Sequence, residues 1–147
     1  MKIKKIWICV IVILLIGLMS GCSQKVSESD VKFANGKVEN MLIALNNDDY
    51  NKFTENFSTN SKKAFTKDDM DKQNKIITKK VGNYLENSKK FKEAAEVSQN
   101  GKKFIVVIYD VKYKNEPGET LATAAFDDDN KHAVESINIS SPKLRKN

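Results

Sequence analysis

The chain has 147 residues, and 25 basic side chains against 19 acidic ones give a formal net charge of +6. One histidine and two cysteines exclude a Cys/His zinc centre. The lysine pairs Lys62-Lys63, Lys79-Lys80, Lys89-Lys90 and Lys102-Lys103 are dispersed among acids, and Arg145 is the lone arginine, so no gathered nucleic-acid footprint is present and no nucleic-acid partner is expected.

The chain opens with Lys2, Lys4 and Lys5, followed by an unbroken apolar run from Ile6 to Leu15 that Ile16, Leu18 and Met19 extend. A positive head before a short apolar stretch reads as a secretory signal. The run is short for crossing a bilayer, which takes about 20 residues, and would serve as an uncleaved anchor only if the helix continued through Gly21 and Cys22. It stops at Met19-Ser20-Gly21-Cys22, which resembles the lipobox of secreted lipoproteins, with methionine where leucine is usual. The resemblance implies removal of residues 1–21 and a diacylglyceryl thioether on Cys22, which would leave the protein anchored to lipid on the extracytoplasmic face of the cell membrane. Cys9 would leave with the leader, so the mature monomer could form no disulfide. Without the three leader lysines, 22 basic residues face 19 acidic ones, a nearly balanced surface.

Residues 22–30 are polar and read as a tether. From Val31 the apolar residues Ala34, Val38, Met41, Leu42 and Leu45 recur at helical spacing behind Asp30, a candidate N-cap. Asn46-Asn47-Asp48 reads as an exit, and Tyr50, Phe53 and Phe57 as a second short helix. Residues 56–60 read as a polar break. Thr66-Lys67-Asp68-Asp69 opens a third helix whose stripe is Met70, Ile77 and Val81, with Gly82 at its end.

The second half alternates as strands do. Phe91 to Ser98 is followed by Asn100-Gly101, a strong hairpin signal. Phe104 to Tyr113 is the clearest strand and is apolar on both faces. Asn115-Glu116-Pro117-Gly118 reads as a turn, Leu121 to Phe126 as a strand, Asp127 to Asn130 as a turn, and Val134 to Ile139 as a last strand. Residues 140–147 form a polar tail. The expectation is one α+β domain over residues 31–139, with three helices on one face of a curved four-stranded antiparallel sheet.

With Ala44 to Phe53, "ALNNDDYNKF", between the first two helices, Gly82 before the long strand around Val106 and Tyr109, and Phe126 to Lys131 after it, the domain resembles an NTF2-like, cystatin-like cone of an uncharacterised secreted or lipoprotein-attached family. The resemblance implies a cone whose interior is a ligand pocket in some relatives, a catalytic site in a few isomerases and dehydratases, and a dimer or protein-binding surface in others. It implies no cofactor.

Among chemistry-bearing residues, His132 lies in a turn rather than beside a serine and an acid. Asp127 to Asn130 lacks the glycine and terminal glutamate of a calcium loop. An isomerase-type site would draw on Asp110 with Tyr50, Tyr84, Tyr109 or Tyr113. Lys112, on the same strand face as Asp110, marks that end as solvated. Tyr109, Asp110, Val111, Tyr113 and Phe126 are the candidate pocket or interface residues. Three helices can cover one sheet face only, so Tyr109, Val111 and Tyr113 with Ala122, Ala124 or Phe126 are expected to form an uncovered patch, unless curvature folds both faces into one monomeric core. The functional expectation is a lipid-anchored, non-catalytic binding or interaction module whose partner is a second copy or another protein. The alternative is a small-molecule pocket protein or an isomerase-like enzyme.

Overall fold

The computed structural model describes residues 23–129 and 131–146. The leader, with Cys9 and Cys22, lies outside them, and the expectations of cleavage and lipidation lie there with it. Among the described residues no helix is long and apolar enough to cross a membrane.

The expected helical stripe forms α1, Lys32–Asn46, in which Ala34, Val38, Met41, Leu42 and Leu45 are all buried. Asp30 is not its cap. A 3-10 turn, Glu28–Val31, runs straight into α1, and Asp30 sits inside that turn, where its carboxylate accepts from the Ser27 hydroxyl at 2.5 Å. A one-turn α2, Tyr50–Phe53, follows, capped by Asp49, which accepts from the Lys52 amide at 3.1 Å.

The polar break holds a further short helix, α3, Thr59–Ala64. It has no apolar stripe. Ser58 caps it, and Ser58 and Ser61 both donate to Glu135 of the sheet, at 3.0 and 2.8 Å.

α4, Lys67–Val81, opens on a reciprocal cap. The Asp69 amide donates to the Thr66 hydroxyl at 3.2 Å, and the Asp69 carboxylate accepts from the Thr66 amide at 2.9 Å. Gly82 ends the helix at φ 78° and ψ −162°, a region only glycine enters readily, and a Cβ there would stand 2.9 Å from the Asn115 amide nitrogen.

Among the described residues the sheet has five strands rather than four. They are β1 Gln24–Val26, β2 Lys90–Gln99, β3 Lys102–Tyr113, β4 Glu116–Asp127 and β5 Val134–Ser140, all antiparallel and in sequence order. The extra strand comes from the stretch expected to be a tether. Its polarity hid it, because an edge strand of three residues needs one inward side chain, and Val26 provides it. The Asn100-Gly101 turn forms as expected, with both residues at positive φ and Gln99 opposite Lys102. The next hairpin is tighter than expected. Lys114 and Asn115 alone turn, and Glu116 to Gly118 already belong to β4.

The tail is folded too. Ser141 caps α5, Pro142–Arg145, whose Leu144 packs on the core, and the Lys143 amide donates to the Glu116 carboxylate at 2.9 Å. The register shifts within β2, β3 and β4–β5, next to Phe91, Tyr113 and Phe126, and each shift bends the sheet.

α1 lies against one face of this sheet. Phe33 meets Phe126 edge-on at 5.2 Å, and the Tyr109 hydroxyl donates to the Asn35 side-chain oxygen at 2.8 Å. That face carries Val107, Tyr109, Val111 and Tyr113 of β3 and Ala122, Ala124 and Phe126 of β4, each at most 4 % exposed. The expected uncovered patch is therefore the core.

Both sides of β3 are apolar from Phe104 to Ile108, but the tyrosine side runs apolar through Tyr113, whereas the phenylalanine side breaks at Asp110 and Lys112. A helix as long as α1 needs the longer stripe.

Candidate interaction face on the open side of the sheet

Pairing puts directly opposed residues on one face. Phe104 faces Val97 and Asp127, Val106 faces Ala95 and Ala125, Ile108 faces Glu93 and Thr123, and Asp110 faces Leu121. These residues form the side of the sheet away from α1. Their larger apolar members, Val97, Phe104, Val106, Ile108 and Leu121, are half-buried, and none joins the hydrophobic core cluster. Ser136 and Asn138 of β5 continue the face with polar side chains.

Paired charges stand at both ends of this stripe. At one end Lys92 pairs with Asp110 at 3.4 Å and also with Glu119. At the other Lys102 pairs with Asp127 and, at 3.3 Å, with Glu135, and its ammonium lies 5.1 Å from the Phe104 ring centre.

Asp127 and Glu135 are perturbed in opposite directions. Burial pushes the Asp127 carboxyl above its ordinary range and the Glu135 charge adds to this, while Lys102 works against both. Lys102 approaches as an ion pair without hydrogen-bond alignment. Burial pushes Glu135 upward as well, but bonds from Ser61, Asp127, Ser58 and Lys102 outweigh it and hold that carboxyl below its ordinary value.

The signs are opposite. The cost of charging Asp127 is present at neutral pH and is relieved as the pH falls through its raised pKa. The gain from Glu135 is present above its unfolded value and is lost as the pH falls through its lowered one. Asp127→Asn should therefore be at least as stable as the parent at neutral pH. That margin should close in acid, and thermal melts of both proteins at neutral and acid pH check it. A variant less stable at neutral pH would mean that the Lys102 ion pair dominates.

Asp110 points to this same open side, 46 % exposed, whereas Tyr109 and Tyr113 point into the core. The strand separates the acid from both tyrosines, so the two halves of the isomerase-type arrangement do not share a cavity. Tyr50 donates to the Phe65 carbonyl at 2.7 Å, and both residues pack, partly buried, against the core. Two surface grooves, of about 400 and 230 Å³, are lined by residues of α1, α2, α4 and their connections. Neither touches Tyr109, Asp110, Val111, Tyr113 or Phe126.

The tyrosines instead organise the seam between α1 and the sheet. The Tyr84 hydroxyl donates to Glu39 at 2.9 Å, and burial, reinforced by that carboxylate, pushes its pKa up to about 12. Burial does the same for Tyr109, also to about 12. Lys89 sits 4.4 Å above the Tyr109 ring, and burial lowers its pKa.

The Tyr113 hydroxyl is buried without a hydrogen-bond partner, and burial drives its pKa up. Tyr113→Phe should raise stability by about 1 kcal/mol, because it removes a desolvated donor and no bond. Tyr109→Phe, which loses the bond to Asn35, should lower stability by a similar amount. Denaturant midpoints of the two variants should move in opposite directions.

His132, at φ 46°, stacks on Phe33 at 3.8 Å, and its Nδ1 is 3.2 Å from the Asp127 carbonyl oxygen. Asp129 accepts from the Lys131 and His132 amides at 3.0 and 2.8 Å, so this carboxylate caps its own turn. Among the described residues no group of three or more His, Cys, Asp or Glu side chains is placed to hold a metal ion.

Comparison with protein-family models, with curated proteins and with solved structures finds no match. The class that fold and face define is thus an α+β domain with an open antiparallel sheet.

Proposed function

We propose that this is a lipid-anchored extracytoplasmic interaction module of NTF2-like form, which associates with a second copy of itself through the open face of its sheet. The observation that carries the reading is the apolar stripe of Val97, Phe104, Val106, Ile108 and Leu121, which the core does not use. The bends in β2, β3 and β4–β5, with all the long helices on one side, support the cone. The charges at both ends of the stripe are already paired within the chain, so the face offers little net field to a strongly charged partner. A neutral apolar surface suits a copy of itself, presented by both subunits across a two-fold axis. Anchoring in a membrane would raise the local concentration of copies and favour weak pairing.

Sedimentation of the domain from Ser23 onward tests the reading. A dimer is expected at tens of micromolar, and Val106→Lys at the centre of the stripe should make it monomeric, because the ammonium would be buried without a partner. Folding of the variant is checked by its circular dichroism, since position 106 lies outside the core. A parent that stays monomeric at these concentrations would overturn self-association.

A further inference from the structure

We infer that the segment read as a tether removes the slack between Cys22 and the domain, so that a lipid on Cys22 holds the domain against the bilayer by one particular end of its sheet. The inference rests on the lipidation reading above. Gln24 pairs with Glu96 and Val26 with Ala94, Val26 packs on the core, and Val31 is 1 % exposed. Between them the Asp30 amide donates to the Ser27 carbonyl at 3.1 Å. The stretch is thus pinned at both ends and in the middle.

Two Cα–Cα steps separate Cys22 from Gln24, at most about 8 Å. A free tether of the expected nine residues would instead let the domain wander about 15–18 Å and adopt any orientation.

The point of entry selects the end. Glu96 lies three residues before the end of β2, so the Asn100-Gly101 turn is about 13 Å farther along the strand. The Lys114-Asn115 turn stands at the opposite end of β3, roughly 35–40 Å away along twelve residues. The near turn therefore faces the bilayer and the far turn faces outward. Lys102 and Lys103 of the near turn are engaged with Asp127, Glu135 and Glu96, so covalent reach rather than attraction to headgroups sets this orientation.

The test uses the full chain, processed by the cell, purified in detergent and reconstituted into phosphatidylcholine–phosphatidylglycerol vesicles. A fluorophore is placed at Gln99→Cys or, separately, at Lys114→Cys, both exposed positions. Nitroxide lipids should quench the Gln99 label several-fold more than the Lys114 label. Inserting about ten Gly/Ser residues between Ser23 and Gln24 should shrink that difference while acylation is kept. Equal quenching at the two positions, on protein whose mass shows an acylated Cys22, overturns the inference alone. Absence of the acyl mass overturns the lipidation reading and this inference together.

Discussion

Phe126→Ala should cost about 3–5 kcal/mol, a large part of the roughly 5–15 kcal/mol that holds a domain of this size together. Phe126 is fully buried on the α1 side of β4, edge-on to Phe33 and opposite Ile105 and Val134. Its removal would leave a hole between the sheet and α1 that neither can close, because α1 is fixed near both of its ends, by Phe33 and by the two hydrogen bonds between Asn46 and the Tyr84 backbone. The matched control is Phe104→Ala, on the same sheet but on its open face, half-buried and outside the core cluster. It should cost about 1 kcal/mol, in line with the smaller area it takes from water. Urea midpoints of the two variants separate the faces directly. If Phe104→Ala proved as costly as Phe126→Ala, the open face would be part of the monomer's own core, and the proposed interface would fail with it.

Cys22→Ser should release the protein from the membrane. Each buried methylene of an acyl chain is worth about 0.8 kcal/mol, and stable anchoring takes about two chains, which a diacylglyceryl group provides. The serine hydroxyl cannot form the thioether, so the variant should stay as an unprocessed precursor or appear in the soluble fraction without lipid. Fractionation after carbonate washing, with intact-mass measurement of the membrane-bound protein, gives the readout. An unchanged mass and an unchanged distribution would show that Cys22 carries no lipid. The fold should not respond to the substitution, because among the described residues pairing begins at Gln24.

Much of the secondary structure was legible because it follows from short-range chemistry. The stripe from Ala34 to Leu45 has helical spacing. Thr66 and Asp69 stand at capping-box distance, Gly82 takes a backbone conformation that side chains disfavour, and Asn100-Gly101 suits the positive φ angles of a two-residue turn. Elements held by distant partners were not legible. β1 exists because β2 offers it an edge, and α3 because Glu135, more than seventy residues away in sequence, receives Ser58 and Ser61. α5 depends in the same way on Glu116 and the core contact of Leu144.

The site divides along the same line. That the long strand carries apolar residues on both faces is legible from the chain alone, because side chains alternate whatever the strand packs against. So is the shortage of helices to cover both of those faces. Which face is left open follows from packing: α1 settles where the apolar stripe is longest and most continuous, on Val107, Tyr109, Val111 and Tyr113, and the burial gained over that length outweighs what the shorter stripe of Phe104, Val106 and Ile108 could supply.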